Sequence, residues 1–508
     1  MNQLKAGAFL SYVVLGLNTL VGLVYTPFML RMLGKSEFGL YSLAASVIAY
    51  LTVLDLGFGN AIIRYTAKFR AEGKQEEQYE MFGMFFILYM GISLLAFALG
   101  LLLAFNAGVL FDASMTADEV GKLRVMLTLM AFNLAFTFPM SIWGAIITAY
   151  ENFVFQKLVN VVRTLLNPLI MTVLLLFGYK ALAMVVVLTV LNVLTLVINY
   201  VYCKRKLHIK VRFRRFRWKF LREVSIYSFW VFLNAIMDRI YWSTGQFVLG
   251  VFRGTIEVAV YAVAIQLHGI YNMFSSAISG VFLPKVTAMV TQGHDRRHIS
   301  ELFIRIGRLQ YIVMAFILSG FIVFGKPFIR LWAGEGYEDA YSISLLFFVP
   351  LTVPLIQNLG ITILQARNEM KFRSVLYVII AFVSLGLSIP LAKYYGGIGC
   401  AVATALALIA GQVVAMNVYY HRKQDLDMIR FWKEIGKMTV VPCLVSVLFF
   451  FLFSEFSIDL YRLGSLLTWM VLFALLYVPL FWFKGMNTYE RSLFGTPVRL
   501  LFQRIVRK

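Results

Sequence analysis

Apolar runs long enough to cross a bilayer recur along almost the whole chain. The hydrocarbon core is about 30 Å thick and an α-helix rises about 1.5 Å per residue, so about 20 consecutive apolar residues make one crossing. Runs of that kind lie near 8–30, 38–62, 80–105, 123–149, 155–177, 180–202, 224–250, 256–283, 308–330, 341–365, 372–392, 398–420, 436–454 and 464–483. Inside lipid every backbone N–H and C=O must find its partner within the protein, so each run is predicted to be a helix. The chain reads as an all-α polytopic membrane protein with about fourteen transmembrane helices. The first run is longer than the apolar part of a signal peptide and is followed at once by another span, so it reads as a retained helix.

Loop charge orients the bundle. The stretch from Cys203 to Glu223, CKRKLHIKVRFRRFRWKFLRE, carries ten Lys or Arg among aromatic and aliphatic residues. By the positive-inside rule it is cytoplasmic. With fourteen spans, the connections and ends on its side hold 35 of the 47 cations, the opposite side holds 10, and Arg163 and Arg239 lie inside spans. Both termini are therefore expected in the cytoplasm. The net charge of +22 would also suit nucleic acid, but no soluble basic domain remains once the spans are removed, so the cations read as partners of anionic lipid headgroups. Cys203, Cys400 and Cys443 are scattered and form no disulfide framework or zinc motif.

An internal repeat runs at a nearly constant offset of 217 to 220 residues. Glu37 is echoed by Glu257, Tyr41 by Tyr261, Ala149 by Ala366, Phe155 by Phe372, and the segment Asn199–Arg205 by Asn417–Lys423. Each copy holds six helices, so the copies share one topology, and the expected object is two six-helix bundles facing a central cavity. The predicted organisation is a first half over 1–203, a basic linker over 204–223, a second half over 224–423, and two further helices with a basic tail over 424–508.

The run LGKSEFGLYSLAASVIAYLTVLDLGFGNAIIRYTAKFRAEG from Leu33 to Gly73, the run SFWVFLNAIMDRIYWSTGQFVLG from Ser228 to Gly250, and the twelve-plus-two arrangement carry a resemblance. The chain resembles the polysaccharide-transport branch of the MOP (multidrug, oligosaccharidyl-lipid, polysaccharide) superfamily, the O-antigen-type flippases. That resemblance implies a bacterial inner-membrane protein that moves an undecaprenyl-diphosphate-linked oligosaccharide to the periplasmic leaflet by alternating access. It implies no cofactor, leaves a proton or sodium gradient as the source of coupling, and sets a polysaccharide polymerase and glycosyltransferases as partners. A MATE-like drug/cation antiporter, a lipid II flippase and, from a different class, a membrane glycan polymerase or ligase remain open alternatives. Enzyme signatures are missing: there is no Walker motif, and the outer loops are short.

Ionisable groups inside hydrocarbon are costly and mark function or a buried pair. Asp55 and Arg163 are each predicted about 12–14 Å inside the cytoplasmic face, at a depth where they could pair. Asp238 and Arg239 lie deeper, about 22 Å along the seventh helix, and point about 100° apart. Arg163 and Arg239 are the choices for a diphosphate, because a guanidinium offers a planar fork to phosphate oxygens. Asp55, Asp238 and the interfacial Arg64 complete the charged set. Asn234, Gln246, Gln266 and His268 are the polar cavity candidates, with interhelical packing as the rival reading. The linker, with Phe213, Phe216, Trp218 and Phe220 among its cations, reads as an amphipathic segment on headgroups.

Overall fold

The computed structural model describes residues 3–213, 218–291, 296–367, 369–456, 458–493 and 495. Among the described residues the chain is helical, and eleven helical segments are long and apolar enough to cross a membrane. The helices are α1 (Gln3–Leu33), α2 (Lys35–Leu51), α3 (Phe58–Ala71), α4 (Gln75–Phe105), α5 (Ala107–Phe111), α6 (Ala117–Ala149), α7 (Phe153–Leu176), α8 (Ala181–Arg205) and α9 (Trp218–Phe252). They continue as α10 (Thr255–Thr291), α11 (Arg296–Ala333), α12 (Asp339–Ile356), α13 (Leu359–Ala366), α14 (Lys371–Leu408), α15 (Met416–Arg422), α16 (Met428–Glu455) and α17 (Leu463–Leu480). One of the eleven segments, Lys371–Arg422, holds the two spans expected at 372–392 and 398–420, bent at Gly396 with φ 59°. Helices α9 and α10 cover the spans expected at 224–250 and 256–283.

The chain falls into two compact units: Met1–Ala262 with Tyr377–Ala403, and Val263–Leu376 with Thr404–Lys508. In the first unit α4 and α8 pack on α6, α1 on α7, and α2 on α6 and α9. Its core is aromatic: Phe58, Phe82, Phe85, Tyr89, Phe138 and Trp143 are buried together. Glu119 joins three helix starts. It closes a capping box with Thr116 and accepts hydrogen bonds from Ser36 (2.6 Å) and Thr255 (2.8 Å). These bonds satisfy N–H and hydroxyl groups that a helix terminus otherwise leaves without partners.

In the second unit α11 packs on α12, α16 and α17, with Phe324, Phe449 and Phe473 interlocked edge to face. The N-terminal third of α11 carries a buried charge cluster. Arg308 is 5% exposed and forks onto Glu490 at 2.6 and 2.9 Å, with a third bond to Glu434 at 2.8 Å. Glu490 is wholly buried and also accepts the Asn487 backbone N–H at 2.9 Å. Arg308, the first residue of the apolar run at 308–330, is the centre of an ion-pair network that ties the segment after α17 to α11 and α16.

Phe155 stacks on Tyr202 at 3.7 Å between ring centroids, and Phe372 on Tyr419 at 4.1 Å. Phe372, the repeat counterpart of Phe155, thus also stacks on a tyrosine, but on Tyr419, one residue before Tyr420, the counterpart of Tyr202.

Two local expectations need correction. The second span is not one continuous helix over 38–62: it runs on to Ala71 and is broken at Leu56–Gly57. The linker's end is also not loop: α9 begins at Trp218, and Phe220 packs edge to face on Tyr65 at 4.8 Å instead of facing headgroups. Phe216 lies outside the described residues.

Candidate functional site

The break in the second span builds the most unusual backbone of the first unit. After α2, a turn of 3-10 helix over Thr52–Asp55 ends at Leu56, which is left-handed with φ 52°, and Gly57 follows with φ 72°. A left-handed leucine costs about 1–2 kcal/mol; Gly57 has no Cβ to strain. The chain then restarts as α3, so a helix N-terminus lies within the span, next to the carboxylate of Asp55. That carboxylate accepts the Tyr89 hydroxyl at 2.8 Å and the backbone N–H of Gly57. The positive end of α3 favours the negative charge, and Tyr89 is itself fixed by stacking on Phe138 with ring planes 4° apart. Broken helices of this kind put backbone and side-chain oxygens where an ion or a polar substrate can be held.

Helix α9 brings further charges to the same place. Tyr50 meets Thr244 at 2.9 Å, Leu43 lies against Gly250, and Gly39 lies against Thr255, so α2 and α9 run antiparallel in a fixed register. Carried on from those pairs, that register sets Asp55 opposite residue 239, and the 3-10 turn does touch α9. Arg239 and Asp238 are both exposed there. Among the described residues Arg239 has no carboxylate within 4.0 Å.

Arg163 belongs to a different neighbourhood. It is half-buried near the middle of α7, and its guanidinium donates to the Asn192 side-chain carbonyl at 3.2 Å. The Asn192 amide in turn donates to Asn133 and to Thr137, each at 2.8 Å. Helices α6, α7 and α8 are thus joined by neutral groups around one cation, and no described carboxylate reaches it. The expected approach of Asp55 to Arg163 is not formed: Asp55 is bonded to Tyr89, and Arg163 to Asn192.

The remaining candidates are dispersed. Arg64 is exposed on α3, its guanidinium 5.9 Å from the Tyr65 ring. Gln246 is half-buried on α9 beside the Tyr50 contacts, and the Asn234 side chain lies outside the described residues. Gln266 and His268 belong to the second unit, where His268 is buried edge to face on Phe347. Tyr89 and Asn192 were not singled out from the sequence. An Asn within an apolar run gives only a faint signal, and a Tyr among many aromatics gives none. The Asp-Leu-Gly-Phe-Gly run at 55–59, an acid followed by two glycines in mid-span, was the available sign of the break.

The sequence pattern of a family described as polysaccharide biosynthesis protein matches residues 4–290. A Shigella flexneri protein named "Putative O-antigen transporter" is 19% identical over 407 residues, covering 79% of this chain and 94% of that one. An uncharacterized membrane protein of Bacillus subtilis (strain 168), EpsK, is 21% identical over 422 residues, covering 80% of this chain and 81% of that one. Among solved structures, the lipid II flippase MurJ in an inward closed conformation superposes with a TM-score of 0.69 at 16% identity, covering 96% and 99% of the two chains. An inward-facing multidrug resistance MATE transporter of the MOP superfamily superposes at 0.57 with 14% identity, covering 83% and 99%.

Proposed function

This chain belongs to the polysaccharide biosynthesis protein family, and from that premise we propose that it is a flippase for a lipid-linked oligosaccharide. The observation that carries the reading is Arg163: a guanidinium in mid-membrane, held by amides and not by a carboxylate. A half-buried cation in a membrane span with no counter-ion among the described residues is costly, and an anionic cargo supplies the missing charge. A diphosphate accepts a guanidinium in two-point geometry. Arg239, also without a described counter-ion, serves as the second cation, while Asp55 and Asp238 on or beside α9 keep the region from trapping the cargo.

The cargo is a polyprenyl-diphosphate-linked repeat unit, of the O-antigen, capsule or exopolysaccharide kind. The headgroup enters a cavity between the two six-helix halves from the cytoplasmic side, the polyprenyl tail stays in lipid, and the halves rock to release the sugar outside. The membrane is the bacterial inner membrane, with both termini cytoplasmic. The O-antigen transporter name of the Shigella relative and the lipid II flippase structure support this class of cargo.

The test is reconstitution into liposomes with a polyprenyl-diphosphate oligosaccharide, its leaflet read by a sugar-modifying enzyme added outside. Translocation that Arg163→Ala and Arg239→Ala each remove supports the reading. Movement of a cationic drug under a sodium or proton gradient, with the lipid-linked sugar left in place, replaces it by antiport.

A further inference from the structure

A second polar site lies apart from the charges above, where the basic linker folds back on the first unit. As far as Phe213 the linker is held by backbone bonds: the buried Ile209 donates its N–H to the Cys203 carbonyl at 3.1 Å, and Arg212 donates its N–H to the Tyr79 carbonyl at 3.1 Å. The Arg212 side chain pairs with Glu76, and Phe213 packs edge to face on Phe86 at 6.1 Å. Between the linker and helices α4, α6 and α8 this leaves a cleft of about 400 Å³. Its lining includes Phe86, Met140, Trp143, Tyr200 and Lys204.

Among the described residues, two of these groups lack partners. Trp143 is 3% exposed, and its indole N–H has no hydrogen-bond acceptor. A buried donor left this way is costly and favours an acceptor brought by a ligand. Lys204 stands in the last turn of α8, exposed, and makes no ion pair among the described residues. A cation, an unused N–H and apolar walls at the end of a membrane helix together match a phosphodiester with acyl chains attached.

The geometry points to a binding site for an anionic phospholipid, with its phosphate on the Lys204 ammonium and the Trp143 indole N–H and its chains along Phe86 and Met140. The site is separate from the cargo path, and it gives the basic linker a fixed anchor on the inner leaflet in place of a diffuse one.

The experiment is native mass spectrometry of the full-length protein in detergent, titrated with phosphatidylglycerol or with phosphatidylcholine. The wild type is expected to retain phosphatidylglycerol about tenfold better, and Lys204→Gln to remove most of that preference. Lys204 is exposed, so its variant folds whatever its role; Trp143→Phe, which removes the donor together with part of the buried ring, should act in the same direction. Lys219→Gln, a linker-end cation that does not line the cleft, should leave the preference intact. Loss of equal size from Lys219→Gln would overturn the site in favour of diffuse attraction. Equal retention of both lipids would also overturn it. Millimolar inorganic pyrophosphate should leave the lipid bound; displacement by pyrophosphate would reassign the cleft to soluble phosphoryl groups.

Discussion

Glu257 accepts the backbone N–H of Gly397 at 3.1 Å, the same bond that its repeat counterpart Glu37 makes to the N–H of Ala181 at 3.3 Å. Each carboxylate meets the start of a membrane helix, where exposed N–H groups and the helix dipole favour an anion. In each case a residue early in one span therefore holds the N-terminus of another, far along the chain.

Removing either carboxylate should weaken the protein. Glu257→Ala leaves the Gly397 N–H without an acceptor and is expected to cost about 1–2 kcal/mol. Glu37→Ala should cost at least as much, because Glu37 also pairs with Lys122 at 2.9 Å. Glutamine, which keeps the carbonyl oxygen, should recover part of the loss in each case. Thermal unfolding of the purified variants in detergent checks this; unchanged curves for both alanine variants would contradict it.

The Arg163 cluster predicts a graded transport defect. Arg163→Ala should abolish export of the glycan at normal protein abundance, and Arg163→Lys should retain a fraction, since an ammonium is a point charge without the planar fork. Asn192→Leu removes the acceptor that positions the guanidinium and should lower export by about tenfold or more, the loss expected for a misplaced charge-assisted bond. Surface glycan normalised to membrane-inserted protein is the readout. Full export by Arg163→Ala would take this residue out of the transport path.

The break at 55–57 separates shape from charge. Gly57→Ala should destabilise the protein by about 1 kcal/mol, because glycine adopts the left-handed backbone freely and alanine does not. Asp55→Asn keeps an acceptor for Tyr89 while removing the charge, so its stability should stay near that of the wild type while translocation falls. An Asp55→Asn variant that transports normally in liposomes would leave the Asp55 carboxylate as a structural cap for the break.

The Arg308 network should behave as a buried pair does. Glu490→Ala strands a buried guanidinium and is expected to cost about 3–5 kcal/mol, whereas the double variant Arg308→Met, Glu490→Leu should restore most of that by replacing charge with packing. Denaturation of the single and double variants gives the comparison; a double variant no better than the single would show that Glu434 and Asn487 carry the network.

The spans were legible because hydrocarbon thickness fixes a length and the absence of water forces a helix, and neither condition needs a partner. The offset between halves was legible too, since Phe155 and Phe372 or Glu37 and Glu257 hold their spacing in the chain. Which residues would meet was not. Runs that are apolar all round carry no facing signal, so depth alone suggested Asp55 with Arg163, while packing gave Asp55 to Tyr89 and Arg163 to Asn192.

The sequence by itself thus determined an all-helical membrane protein, through the length and apolarity of its runs. Only the tertiary structure decided where the second span breaks, which side of the linker's end turns inward at Phe220, and that Arg308 is buried in an ion-pair network. These depend on which helix faces come together, and a side chain's partner is set by a neighbour that lies tens to hundreds of positions away.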